Sequence, residues 1–143
     1  MNHPLLALGV ALLLASPVLA QKASPAKVPA AAKVAFQTSF ATASGGQWEK
    51  EGADYEVSFA QAGKEMAAVI TASGELKETE TELAVAQLSA AVQAALARDY
   101  KTAKVGEAAS IRRANGRTVY EAEISQGGKK HDVLLTANGQ VTK

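Results

Sequence analysis

The sequence predicts an α+β fold: tandem α-β-β-β repeats whose helices pack on one face of an antiparallel sheet. Three observations lead there. Tyr55, Glu56, Gly63, Lys64, Thr71, Ala72 and Gly74 recur 65 residues later as Tyr120, Glu121, Gly128, Lys129, Thr136, Ala137 and Gly139, and self-similarity at a fixed offset marks one supersecondary unit used twice. Each copy alternates apolar and polar residues on both sides of a glycine turn, as a β-hairpin requires. Ahead of each copy, Val28, Ala32, Phe36 and Phe40 form an apolar stripe at four-residue spacing that returns 60 residues later as Leu88, Val92, Leu96 and Tyr100, so a helix precedes each hairpin.

Residues 1–20 hold an apolar run over 5–15, then Ser16 and Pro17, then Val18-Leu19-Ala20 with small residues where a signal peptidase cuts. This is the pattern of a secretory signal cleaved after Ala20, although Met1-Asn2-His3 carries no Lys or Arg. The run is shorter than the roughly 20 residues that span a bilayer, so no membrane anchor is expected to remain after cleavage. Residues 21–27, with Lys22, Ser24, Pro25 and Lys27, form a flexible leader. Residues 28–143 are long enough for one compact domain, made of repeats 28–83 and 88–143. The chain has no cysteine, which removes disulfides, thiolate nucleophiles and thiolate metal sites. Export without cysteine suits a bacterial periplasm.

The first helix is expected over 29–42, because Pro29 is tolerated at a helix start and Ala30 to Ala32 are strong helix formers. Gly45-Gly46 is expected to end it. Short strands follow over 47–51 and 54–60, the second with Tyr55, Val57 and Phe59 on one side and Glu56 and Ser58 on the other. The strand 65–72 gives Met66, Ala68 and Ile70 to the core. Residues 75–83 alternate acids with Leu76, Thr79, Thr81 and Leu83, which fits an extended or edge segment guarded by charge, and equally a solvated linker. In the second copy the helix is expected over 89–100, a longer connection over 101–108, and strands over 110–113, 118–125 and 130–136. Asn115-Gly116 is the strongest hairpin turn signal in the chain.

These elements resemble the PepSY-like family of β-lactamase-inhibitor-like proteins. The resemblance rests on the helix starts Val28-Pro29 and Leu88-Ser89, on Trp48-Glu49 ahead of Tyr55-Glu56-Val57, and on the strand ends at Gly74 and Gly139, and it spans nearly the whole mature chain. Ser89 stands where the family usually has proline, and Ser73 and Asn138 stand where it has an acid before the closing glycine. The resemblance implies helices on one face of an antiparallel sheet, an exported location, and a protein-binding or inhibitory role without catalytic residues.

No catalytic, cofactor or metal site is expected. His131 is the only histidine after residue 20. It falls in phase with Val133 and Leu135, at the end of a core-facing row, where a histidine is structural. No phosphate-binding loop, dinucleotide fingerprint or metalloprotease motif occurs, and the chain is not expected to be an enzyme. Nucleic acid is excluded as a partner: Arg112, Arg113 and Arg117 cluster at a hairpin without interleaved aromatics, and an exported protein does not meet it. Between residues 49 and 82 nine acids stand against three lysines, whereas residues 83–143 hold nine bases against five acids. This polarity can steer a partner.

Binding is therefore the expected role, with a periplasmic or cell-envelope protein or peptide as partner. Opposite the core phase, Val69 and Leu134 occupy equivalent positions bordered by Glu56, Ser58, Thr71, Glu121, Glu123, Asp132 and Thr136. An apolar centre within a polar rim suits a protein-binding patch. Trp48, on the neighbouring strand, is a natural anchor for such a patch, but alternation over so short a strand does not fix its side. The alternative is a sensor of a small ligand or cation that uses Glu49, Glu51, Asp54, Glu56, Glu75, Glu78, Glu80 and Glu82.

Overall fold

The computed structural model describes residues 21–22 and 27–143; the expected signal segment and most of the expected leader, 1–20 and 23–26, lie outside the described residues. Both helices start where a suitable cap meets a run of alanines. α1 (Ala30–Ser39) follows Pro29, whose ring presets φ at −56°. α2 (Ala90–Asp99) follows Ser89, whose hydroxyl accepts a hydrogen bond from the Val92 amide at 3.2 Å. The serine in the proline position thus supplies a side-chain cap that proline lacks. It also donates to the Ala137 carbonyl at 3.0 Å, tying the helix start to the last turn of its repeat.

The strands are β1 (Gln21–Lys22), β2 (Ser44–Glu51), β3 (Asp54–Gln61), β4 (Lys64–Ile70), β5 (Leu76–Leu83), β6 (Lys104–Arg113), β7 (Thr118–Gln126) and β8 (Lys129–Thr136). They form one sheet in chain order, every neighbouring pair antiparallel. A 3-10 turn (Val85–Gln87) leads from β5 into α2.

Three expectations are corrected. Residues 75–83 are neither edge nor linker, because β5 pairs with β4 on one side and β6 on the other and joins the two repeats into one sheet. Residues 101–108 are not a long connection: β6 begins at Lys104, as far after α2 as β2 begins after α1. The five extra residues of the second copy lie instead in the β6–β7 hairpin around Asn115-Gly116. Gly45-Gly46 does not end the helix but lies inside β2, where pairing slips between Gly45 and Gln47; the same slip recurs between Val105 and Glu107, at Gly106. A bulge of this kind bends and twists a strand.

Among the described residues, helices cover one face only. α1 packs Val28, Ala32 and Phe40 against Tyr55, Val57, Phe59, Ala68 and Ile70. α2 packs Leu88, Val92, Ala95 and Leu96 against Ala108, Ala122, Ile124, Val133 and Leu135. On the hairpin strands the matching core positions of the two copies are therefore buried alike, except that Tyr120 is half-buried where Tyr55 is buried; on the helices Phe36 is half-buried where Leu96 is buried, and Tyr100 is half-buried where Phe40 is buried. Between the two clusters, β5 and β6 present Thr79, Thr81 and Ser110 to the helix side, so the core is divided at the repeat boundary. Among the described residues no helix is long and apolar enough to cross a membrane.

Candidate binding face

The other face is defined by register, since residues directly opposite in an antiparallel pair share a side. One row across it runs Glu49, Glu56, Val69, Glu78 and Arg113. The next runs Ser58, Ala67, Glu80, Ile111, Val119 and Thr136. A third holds Glu82, Ala109, Glu121 and Leu134, and a fourth Glu107, Glu123 and Asp132. Of the fourteen acids in the chain, all but Glu75 and Asp99 lie on strands, and every one of those is in this phase. The polarity is thus between faces as well as between halves of the sequence.

Five apolar side chains of this face, Ala67, Val69, Ala109, Ile111 and Val119, are buried but belong to neither helix-side cluster. Three glutamates interleave with them on alternate strands: Glu56 on β3, Glu80 on β5 and Glu121 on β7, respectively 9%, 4% and 5% exposed. Directly opposed side chains sit about 5 Å apart on a sheet, so the acids' methylenes lie along the small apolar residues between them.

Cations stand at the margins. Lys77 Nζ lies 2.7 Å from Asp54, Lys130 Nζ 2.8 Å from Glu123, and Arg113 Nε 3.2 Å from Glu78, the last in ion-pair range but outside hydrogen-bond geometry. The three buried glutamates have no such partner among the described residues, and neither carboxyl oxygen of Glu80 meets a hydrogen-bond partner. Burial therefore governs their acidity. It pushes Glu80 up to about 8, helped by the charges of Glu121, Glu56, Asp132 and Glu78. It pushes Glu56 up to about 8, helped by Glu51 and Glu49, and Glu121 up to about 7, helped by Asp132 and Glu123. Glu51, beside Glu56, is raised by burial and partly restored by their hydrogen bond. Near neutrality the centre of the face is largely protonated within an acidic surround.

Of the residues expected on the partner face, Glu56, Ser58, Val69, Glu121, Glu123, Asp132 and Leu134 come together. Trp48 does not: it stands opposite Val57 and packs edge-on to Phe36 at 5.7 Å, on the helix side. The Thr71 hydroxyl accepts the Glu75 amide at 2.9 Å and that of Thr136 the Gln140 amide at 3.2 Å. Both threonines therefore close turns, and only Thr136 lies within a strand row. Val69 is sheltered between Glu56 and Glu78 rather than forming an open apolar centre, while Leu134 is half-buried. His131 is exposed, opposite Ile124 and 6.4 Å from the Tyr100 ring on the helix side. Sequence reasoning missed Glu80, Ala109, Ile111 and Val119 as members of the face. The alternation of Glu78, Glu80 and Glu82 with Thr79 and Thr81 was the signal, and it needed β5 to be placed inside the sheet. The acids of the sensor alternative are spread along the sheet, with Glu75 in a turn, and among the described residues no group of three or more His, Asp or Glu is placed to hold a metal ion.

No family model and no curated protein matches the sequence. Solved structures do match. A Bacteroides eggerthii protein described as a candidate periplasmic protein superposes with a TM-score of 0.74 at 20% identity, over 81% of this chain and 86% of its own. A DUF2874 family protein of Bacteroides uniformis gives 0.73 at 18% identity, over 80% and 86%. A BLIP-like protein of Bacteroides fragilis gives 0.68 at 25% identity, over 80% and 84%. The chain thus has a BLIP-like α+β fold.

Proposed function

We propose that this chain is an exported, non-catalytic binding module that holds a protein or peptide of the cell envelope on its open sheet face, as its PepSY-like resemblance implies. One observation carries the reading: five buried apolar residues and three buried glutamates lie on a face that, among the described residues, no helix covers. A sheet with one face solvated ordinarily keeps that face polar and accessible. The candidate periplasmic and BLIP-like neighbours support export and a binding role. The test is capture from periplasmic extract by the immobilised chain. Val69→Lys places an ammonium opposite Glu56 and Glu78, and Leu134→Lys places one opposite Glu121. Both variants should fold and lose the protein that the wild type retains. If both fold and retain it, the surface lies elsewhere, on the loops.

A further inference from the structure

We infer that the open face receives lysine or arginine side chains of a polypeptide partner, the cationic head seating at Glu80 between the flanking carboxyls of Glu56 and Glu121. The inference rests on the reading of this face as the partner surface and names the chemistry of what it binds. Two independent observations support it. The first is charge: every strand acid points to this side, and of the cations that share it Lys77, Arg113 and Lys130 are already paired with Asp54, Glu78 and Glu123 at its margins, while Lys104 stands exposed at the far end of β6, opposite Ser125. The second is Glu80 itself, 4% exposed with both carboxyl oxygens unpartnered, whereas buried polar groups in folded proteins almost always find a partner.

The spacing favours a long side chain over a bare ion. Glu56, Glu80 and Glu121 sit on alternate strands, so neighbours in the series are separated by two strand spacings of about 4.8 Å each. The floor between them is small and apolar, Ala67 on one side of Glu80 and Ala109 and Ile111 on the other. The methylenes of a lysine or arginine can lie on that floor while the head reaches the carboxyl. A divalent ion needs several oxygens within one short radius, which this arrangement does not offer.

Seating a cation requires ionised carboxyls, so protons must leave. The charged groups around Glu80 are Glu121 and Asp132 from β7 and β8, Glu56 from β3, and Glu78 on its own strand, the last paired with Arg113 of β6. All four are acids that hold its proton on, and an incoming cation reverses that balance. Affinity therefore rises with pH through the range where Glu121, Glu56 and Glu80 ionise, at about 7 to about 8.

The experiment is calorimetric titration of the chain 21–143 with tetralysine, tetraglutamate and calcium chloride at constant ionic strength. Tetralysine should bind about tenfold more tightly near pH 9 than near pH 6, and tetraglutamate and calcium should not bind. Glu80→Gln should keep the fold and lose about tenfold in tetralysine affinity near pH 9, while Glu82→Gln, with the same charge change at an exposed site of the same strand and face, should lose little. Equal losses in the two variants would make the attraction diffuse and overturn the inference. So would calcium binding that Glu80→Gln abolishes, or no tetralysine binding at either pH. A display-selected peptide without Lys or Arg that captures on this face would then remove only the cationic assignment. Selected peptides of any composition that dock on the helix side would remove the partner face as well.

Discussion

Glu80 is costly to ionise because it has lost water and gained only like-charged neighbours. Burial and the charges of Glu121 and Glu56 lift it to about 8, so near neutrality it is held as the acid. Glutamine has the same shape and never ionises. Glu80→Gln should therefore leave stability near pH 5 almost unchanged and raise it near pH 9 by several kcal/mol, at about 1.4 kcal/mol per unit of displaced acidity. Urea midpoints at the two pH values measure this, and equal midpoints for wild type and variant at pH 9 would remove the burial argument. Trp48 teaches the opposite lesson about single residues. Its neighbours in sequence left its side undetermined, and only pairing with Val57 and contact with Phe36 place it under α1.

At the scale of elements, the repeat is written most plainly in its closing turns. Thr71 and Thr136 each donate the backbone N–H to the carbonyl of the residue four positions on and accept that residue's amide on the hydroxyl, and Gly74 and Gly139 each donate to the threonine carbonyl. Both glycines have positive φ, +91° and +82°, and a β-carbon there would lie 2.8 Å from the Ala31 carbonyl oxygen or 2.5 Å from that of Ala91. Glycine is thus needed twice over, for the turn and for close approach of the helix. Gly74→Ala and Gly139→Ala should each destabilise by about 1–3 kcal/mol, measured by denaturant unfolding. Unchanged midpoints would mean that the helices do not dock against these turns. Leu96→Ala, deep in the α2 cluster, should cost about 2–5 kcal/mol.

The same scale shows what was legible. Both helices and the hairpin strands could be read from apolar periodicity, because each has one face against a core and one toward water. β5 could not be placed, since the middle of its helix side carries Thr79 and Thr81 and its other side glutamates, leaving only Leu76 and Leu83 at its two ends to point inward. The start of β6 was hidden for a related reason. Gly106 breaks the alternation with a bulge, so the strand before it looks like a loop. The candidate face was half legible: Val69, Leu134 and their acidic border follow from the repeat, whereas Glu80, Ala109 and Ile111 depend on how β5 and β6 pair.

For the whole molecule, the acids of the open face set the pH dependence of folding. Glu56, Glu80 and Glu121 rise from 4.5 to about 8, about 8 and about 7, so the folded chain holds their protons more tightly than the unfolded chain. Stability is then lost as pH rises, beginning near the unfolded value and continuing through the folded ones. Melting near pH 5 should occur at a higher temperature than near pH 9, by an amount on the order of several kcal/mol in stability. A flat or rising profile would mean that these carboxyls are solvated. The central claim, that the face opposite the helices is where a partner sits, has its most direct test in methyl NMR of the chain titrated with tetralysine near pH 9. Ala67 and Ala68 are neighbours on one strand that point to opposite sides, as do the pairs Ala108 with Ala109 and Ile111 with Ser110. The account predicts that the methyls of Ala67, Ala109 and Ile111 shift while those of Ala68, Ala108, Ala122 and Ile124 stay in place. Shifts confined to the second set would contradict it.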